Sequence, residues 1–368
     1  MFELHSFVLE DFFRKYEHRR DLLNLASSDA SPWTLQEAID RCSRLQQDLA
    51  QIDFKYPDID GVLLPSLVTF CKPPPGMGVL AVSGAAEAIF LILAEHRCRI
   101  DARLRIAGPL PSYGAFDGIP HLLGCDTAVY RYRYDADWSL DPDALRKVSA
   151  NSDVVVVNNP HNPTGHLIDD GLLEEVSNIV SRNGGTLLVD EVFRLPEDCA
   201  SATRLGQNVI VIGSLSKVYG MPGLRLGWIV TDTARLDRLR TVQQYTTLSP
   251  NSFAVTLGAA VLDDIDHFSR RTLLQTNRRI VEEWAAKHAD VLRVIPSPAG
   301  TTAILEVNSS ASEDDLFDAF LGNQVLLVPG SRCFAVNGPR PWFRLGYGAR
   351  EDVLRQGLDA VADALKKI

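Results

Sequence analysis

The chain has 368 residues, 46% of them hydrophobic and 23% charged, with a formal net charge of -10 at pH 7. That is enough apolar material for a large core divided over two subdomains, and the acidic balance argues against a nucleic-acid partner, whose phosphates demand clustered Lys and Arg. The six cysteines form no CxxC pair and stand at no metal-like spacing to histidine, so reduced thiols and no metal site are expected.

The opening stretch MFELHSFVLEDFFRKYE carries acids and lacks a continuous apolar core, so it reads as no secretory signal. No apolar run approaches the ~18 residues of a membrane span. A cytoplasmic protein with no membrane partner is expected. Within that stretch Leu9, Phe12, Phe13 and Tyr16 recur at helical spacing, which predicts an amphipathic helix in need of a surface to cover. Thr34 with Glu37 predicts a capping box that opens a second helix.

From residue 78 onward the pattern changes to short β-branched runs separated by helical stretches: VLAVSG, RLRIAG, TAVYRYR, DVVVVNN, TLLVDEVF, VIVIGS and LRLGWIV. Seven strands are predicted. Several are apolar on both faces, which predicts a mostly parallel sheet covered by helices on each side. LGWIV follows VIVIGS after a short loop, so this pair is the expected antiparallel exception. After a helical region over 250–292, the runs AGTTAILEV, VLLVPGS and WFRLGYG predict a smaller terminal α/β domain.

In an open sheet of this kind ligands bind beyond the carboxyl ends of the strands. Four groups of polar residues fall there: Ser83 to Glu87, Asn158 to Gly165, Asp190 to Arg194, and Ser214 to Arg225. SGAAEAIF leaves backbone N-H groups free at a helix start, where an anion is favoured, although tight strand-to-helix packing alone accounts for the same small residues. NNPHNPTG carries two X-Pro steps that fix an extended loop around Asn162, a donor for a ligand oxygen or simply a turn residue. Asp190 and Glu191 end a buried strand, and a carboxylate there needs a cation; with no histidines nearby, a protonated heterocycle suits it better than a metal. In GSLSKVYGMPGLRLGW, Ser214, Ser216 and Arg225 suit a phosphate, and Lys217 among them suits Schiff-base chemistry.

Taken together, NNPHNPTG, DEVF and SLSKVYGMPGLRLGW resemble the class I/II aminotransferases of the fold-type I pyridoxal-phosphate enzymes, over nearly the whole chain from about residue 54. The resemblance implies pyridoxal 5'-phosphate as cofactor and a division into 1–45 (entrance helix and loop, part of the small domain), 46–265 (large cofactor domain) and 266–368 (small domain). Lys217 matches the lysine that binds the cofactor and shuttles the substrate proton, and Asp190 the aspartate that keeps the pyridine nitrogen protonated, making the ring an electron sink. Asn162 matches the partner of the phenolic oxygen. Ser214, Ser216, Arg225 and the Gly84, Ala85 and Ala86 amides match the phosphate cup. Tyr113, in PLPSYGAF, matches the stacking aromatic, and Arg344, in WFRLGYG, the clamp on the substrate α-carboxylate. Tyr56, in FKYPDIDG, matches a tyrosine that reaches the neighbouring subunit's phosphate, so the resemblance implies a homodimer with shared active sites.

Two departures from the family pattern stand out. Phe193 replaces the commoner tyrosine that donates to the phenolic oxygen, and loss of that donor is expected to raise the pKa of the lysine–cofactor imine. LNLASSDASP places Ser28 and Asp29 at the substrate entrance, where with Glu87 and Glu10 they are expected to gather carboxylates around a cationic side chain. That loop and QYTTLSP resemble a subgroup that includes capreomycidine synthase. The expected activity is transamination of an amino acid with a 2-oxo acid acceptor. The alternative is a lyase or cyclase on an arginine-like, hydroxylated amino acid; a decarboxylase and a non-enzymatic ligand sensor follow behind.

Overall fold

The computed structural model describes residues 6–99 and 103–368. The large sheet is built from β1 (Met77–Val82), β2 (Arg105–Leu110), β3 (Asp126–Arg133), β4 (Ser139–Leu140), β5 (Val154–Asn158), β6 (Thr186–Asp190), β7 (Val209–Ser214) and β8 (Gly227–Asp232). They lie in the order β1-β8-β7-β6-β5-β2-β3-β4. The seven predicted strands are all present. The eighth, β4, is a two-residue strand antiparallel to the end of β3, too short to leave a periodic signal in the sequence.

The sheet is parallel from β7 through β6, β5 and β2 to β3, while β8 runs antiparallel to both β7 and β1. Alternate residues point to opposite faces, and both faces are buried. Val155, Val157, Leu187 and Val189 enter one hydrophobic cluster, whereas Val154, Val156 and Leu188 enter the other. This explains why β5 and β6 read as unbroken apolar runs.

Strand register brings the polar strand ends side by side. Asn158 pairs with Asp190, Asp190 with Ile212, and Gly227 with both Ser214 and Val82. Val82 and Ser214, far apart in the chain, therefore flank the same glycine at one edge of the crevice.

The terminal sheet contains β9 (Leu292–Val294), β10 (Thr302–Val307), β11 (Val328–Pro329) and β12 (Trp342–Gly346), antiparallel in the order β9-β10-β12-β11. Leu23–Asn24 pairs in parallel with Val325–Leu326, which ties the amino-terminal segment to this sheet. Helix Val8–Tyr16 buries Leu9 and Phe12, with the rings of Phe12 and Tyr16 5.9 and 5.6 Å from that of Phe317. The Thr34–Glu37 capping box is present: Glu37 N donates to Thr34 Oγ1 at 3.1 Å and Thr34 N to Glu37 Oε2 at 2.8 Å. Such a cap stabilises a helix start by ~1 kcal/mol.

Candidate active site

Thirteen of the predicted site residues converge on one cavity of about 310 Å3: Ser28, Asp29, Ala85, Ala86, Tyr113, Asn162, Asp190, Phe193, Ser214, Ser216, Lys217, Arg225 and Arg344. Lys217 sits in the turn after β7, its side chain 27% exposed. Its Nζ donates to Asp29 Oδ1 at 2.7 Å and to Ser28 Oγ at 3.1 Å.

Beside the lysine, the Ser214 hydroxyl donates to Leu226 O at 3.0 Å and lies 2.7 Å from the Ser216 hydroxyl, whose own backbone N-H donates back to Ser214 Oγ at 3.0 Å. Arg225 adopts a left-handed φ of 53° and anchors Nη1 on Pro222 O at 3.1 Å. Gly84 is required where it stands: its φ is 95°, and a Cβ there would collide with the Arg225 guanidinium. Helix Ala85–Arg99 begins one residue later, so its free amides and positive dipole end face the same guanidinium and hydroxyls. Cation, hydroxyls and amide donors in this arrangement are a phosphate cradle.

Asp190, which also lines the cavity, is 6% exposed and accepts from the Val192 N-H at 2.8 Å. Burial pushes its carboxyl up to about 7; Glu191 adds to the rise, while the Val192 N-H and Lys217 oppose it. The adjacent Glu191 points elsewhere, accepting from Arg194 Nε at 2.7 Å and Ala202 N at 2.6 Å. The DE pair is thus divided between a buried structural ion pair and a carboxylate aimed at the cavity.

The NNPHNPTG loop is held by its own side chains. Asn158 Nδ2 donates to Asp190 O at 3.2 Å and Asn158 Oδ1 accepts from Asn162 N at 2.7 Å. His161, stacked on Tyr132 with ring centroids 3.6 Å apart, contacts Pro111 O at 3.0 Å, so it joins this loop to the one that carries Tyr113. Burial holds the His161 imidazole neutral, its pKa lowered to about 3. Phe193 is 6% exposed and packs against Gly300.

Arg344 leaves β12 with 1% exposure. Its Nη1 donates to Asn162 Oδ1 at 3.2 Å and Nη2 to Ala26 O at 2.8 Å, but its buried Nε has no partner among the described residues. Burial lowers the guanidinium to about 10, still cationic at neutral pH. A buried N-H without a partner is costly, and a carboxylate offers the missing acceptor.

Three predicted residues are not among those lining the cavity: Gly84, in the turn just described, Tyr56 and Glu87. Tyr56 is 80% exposed and lines a surface groove together with Phe54 and Phe253. Glu87 is turned away: it accepts from Ser83 N at 2.5 Å and from the Thr246 hydroxyl at 3.1 Å, bracing the phosphate turn against the QYTTLSP loop. Conversely, Leu9, Phe13 and Glu17 line the cavity alongside Glu10. The helical periodicity marked Leu9 and Phe13 as seeking a surface without saying that the surface was the site.

These residues fit pyridoxal phosphate. The cradle at Gly84 and Arg225 would suit a phosphate and the buried Asp190 a protonated ring nitrogen, with Lys217 in the same cavity. Capreomycidine synthase of Streptomyces vinaceus is 29% identical over 97% of this chain and 93% of its own length. An L-aspartate:5-guanidino-3-methyl-2-oxopentanoate transaminase of Pseudomonas syringae pv. syringae is 26% identical over 77% of this chain and 76% of its own. Among solved structures, a PLP-dependent aminotransferase from Streptococcus suis superposes with a TM-score of 0.88 at 25% identity, over 99% of this chain and 98% of that one. The PLP-dependent cyclase OrfR gives 0.84 at 26%, with the same coverage. The family model for aminotransferase class I and II matches residues 20–361. The chain belongs to that family, and its cofactor is pyridoxal phosphate.

Proposed function

We propose that this protein is an aminotransferase that moves the amine of an amino acid to a 2-oxo acid. The observation that carries the reading is the joint presence, in one cavity, of Lys217, the buried Asp190 and an Arg344 whose Nε lacks an acceptor among the described residues. Arg344 takes the substrate α-carboxylate and sets which α-carbon bond faces the lysine. Lys217 would hold the cofactor and then take the proton from the substrate α-carbon and deliver it to the cofactor. Asp190 balances the positive ring nitrogen, and Asn162, itself held by Asn158 and Arg344, orients the ring edge. The bound cofactor supplies an electron sink for the α-carbon bond that breaks. Tyr113 would cover the ring, and Phe193, which lacks a hydroxyl, would offer no hydrogen bond to its phenolic oxygen. Leu9 and Phe13 on the entrance helix exclude water.

A second reading, lyase or cyclase chemistry, is favoured by the 29% identity to capreomycidine synthase over almost the whole chain. For either reaction we propose a substrate with a cationic side chain. Glu10 and Glu17 at the exposed mouth give the cavity two carboxylates that neither Asp190 nor the Lys217-bonded Asp29 accounts for, and the Pseudomonas relative is named for a guanidino acid.

We also propose a cytoplasmic homodimer, in which the groove bearing Phe54, Tyr56 and Phe253 meets a second copy and Tyr56 reaches the partner's phosphate. The division at 45 and 265 is proposed with it, supported by the pairing of Leu23–Asn24 with Val325–Leu326.

The test mixes the purified protein with single amino acids, arginine and hydroxyarginine among them, without an oxo acid. Conversion of the cofactor to its amine form, reversed by 2-oxoglutarate, is expected. A cyclised or deaminated product with no oxo acid consumed selects the second reading, and no turnover of any amino acid defeats both.

A further inference from the structure

Ser28 and Asp29 were expected at the substrate entrance, yet their side chains are engaged by the lysine. The Asp29 carboxylate is bonded to Nζ at 2.7 Å, and its side chain is 16% exposed. Its other oxygen, Oδ2, accepts from Ser27 Oγ at 3.2 Å, and Ser27 Oγ in turn accepts from Asp29 N at 3.1 Å. Ser28 Oγ supplies a second acceptor for Nζ, at 3.1 Å.

The backbone behind these groups is fastened on three sides. Ala30 N donates to Lys217 O at 3.0 Å, Ser31 N to Gly348 O at 2.6 Å, and the Thr301 hydroxyl to Ser28 O at 2.6 Å. Gly346 and Gly348 admit this backbone because a Cβ on either would strike the carbonyl of Ser27 or Asp29. Ala26 O, two residues before Ser28, accepts from Arg344 Nη2 at 2.8 Å. A segment held this closely cannot swing to follow a substrate. Its two acceptors stand at a fixed distance from the lysine turn, and the carboxylate is partly desolvated, so the ion pair is stronger than a surface pair.

We propose that Ser28 and Asp29 form a docking cradle for the Lys217 ammonium, the group set free each time an incoming amine takes the lysine's place on the cofactor. The inference rests on the assignment of Lys217 as the cofactor-bearing lysine. In that exchange the nitrogen of the incoming ammonium forms the double bond to the cofactor carbon that Nζ leaves, and the protons it sheds, three from an unprotonated imine or two from a protonated one, end on Nζ as the ammonium. No oxidant, reductant or water is consumed. By accepting two N-H bonds and balancing the new charge, the cradle favours the displaced lysine and holds Nζ beside the reacting α-carbon rather than in bulk water. Ser28 and Asp29 are thus positioning residues, acting on the substrate through Lys217.

The experiment uses holoenzyme and 2-aminoisobutyrate, which has a carboxylate for Arg344 but no α-hydrogen, as the displacing amine. Borohydride then reduces whatever bond the cofactor has formed, and peptide mass spectrometry reads the share of chains in which it is fixed to Lys217. Without the probe, fixation on Lys217 confirms the underlying assignment in every variant; fixation elsewhere defeats that assignment rather than the cradle. With the probe, Asp29→Asn is expected to need on the order of tenfold more 2-aminoisobutyrate for half displacement, the scale of losing one charged hydrogen bond. Ser28→Ala is expected to need about threefold more, the scale of a neutral one. Asp29→Glu, which keeps the charge, should need less probe than Asp29→Asn. Half displacement at the native concentration or below in Asp29→Asn overturns the proposal; if that variant does not fold, the same result in Ser28→Ala does so.

Discussion

Asp190 shows how a single residue couples stability to the cofactor. In the unfolded chain its carboxyl titrates near the usual aspartate value of about 4, and burial raises it to about 7 in the folded chain. The folded state therefore holds the proton more tightly between those values, and stability falls as pH rises through that window. Below the unfolded value both states are protonated and the penalty vanishes. In protein stripped of cofactor, Asp190→Asn is expected to raise stability above pH 7 by up to a few kcal/mol and to change little near pH 4. Denaturant melts at both pH values check this, and an equal effect at each would contradict the burial argument. The same substitution should cost the holoenzyme most of its affinity for pyridoxal phosphate, because the positive ring nitrogen is then left without a counter-charge. The sequence alone marked Asp190 as a buried acid in need of a cation, but the size of that need comes from the packing around β6.

At the scale of elements, the phosphate cradle belongs to a turn rather than to any one side chain. β1 ends at Val82, Gly84 turns with positive φ, and helix Ala85–Arg99 begins. Arg225 reaches this turn from the segment before β8, since Val82 and Ser214 both pair with Gly227. Gly84→Ala should add left-handed strain and push the guanidinium aside, weakening pyridoxal phosphate binding by on the order of tenfold or more. A fluorescence titration measures it, and unchanged affinity would show that the guanidinium does not hold the phosphate. Glu87, in the same turn, illustrates the limit of reading sequence by charge. Its position among cofactor residues suggested a substrate carboxylate. In the helix its side chain instead runs back onto Ser83 N and sideways to Thr246, because the Cα–Cβ bonds of a helix tilt toward its amino-terminal end. The entrance helix shows the converse case, because its apolar period was legible while its partner was not.

For the whole molecule, Phe54, Tyr56 and Phe253, at 106%, 80% and 42% exposure, stand out among the exposed apolar side chains in lining one groove together. Large exposed aromatics grouped in one groove mark a surface that another protein covers. Phe54→Asp is expected to yield a monomer in sedimentation and to lower cofactor affinity severalfold through the loss of Tyr56 supplied by the second copy; a variant that sediments like the native protein with native affinity would remove this face from the proposed interface.

Fold class, strand order along the chain, the antiparallel β8 and most of the residues that line the cavity were legible in the residues, because they depend on local signals: apolar runs, X-Pro steps, glycine turns and a lysine set among hydroxyls. The two-residue β4, the division of labour between Asp190 and Glu191, the orphaned Nε of Arg344 and the engagement of Asp29 with Lys217 were not. Each depends on what stands opposite a side chain in space, across 188 positions of sequence in the last case. Local propensity determines which groups are available at the strand ends. Only the register of the sheet and the closure of the terminal sheet against it decide which of those groups meet, because contact energies act over a few ångströms and sequence spacing carries no such distance.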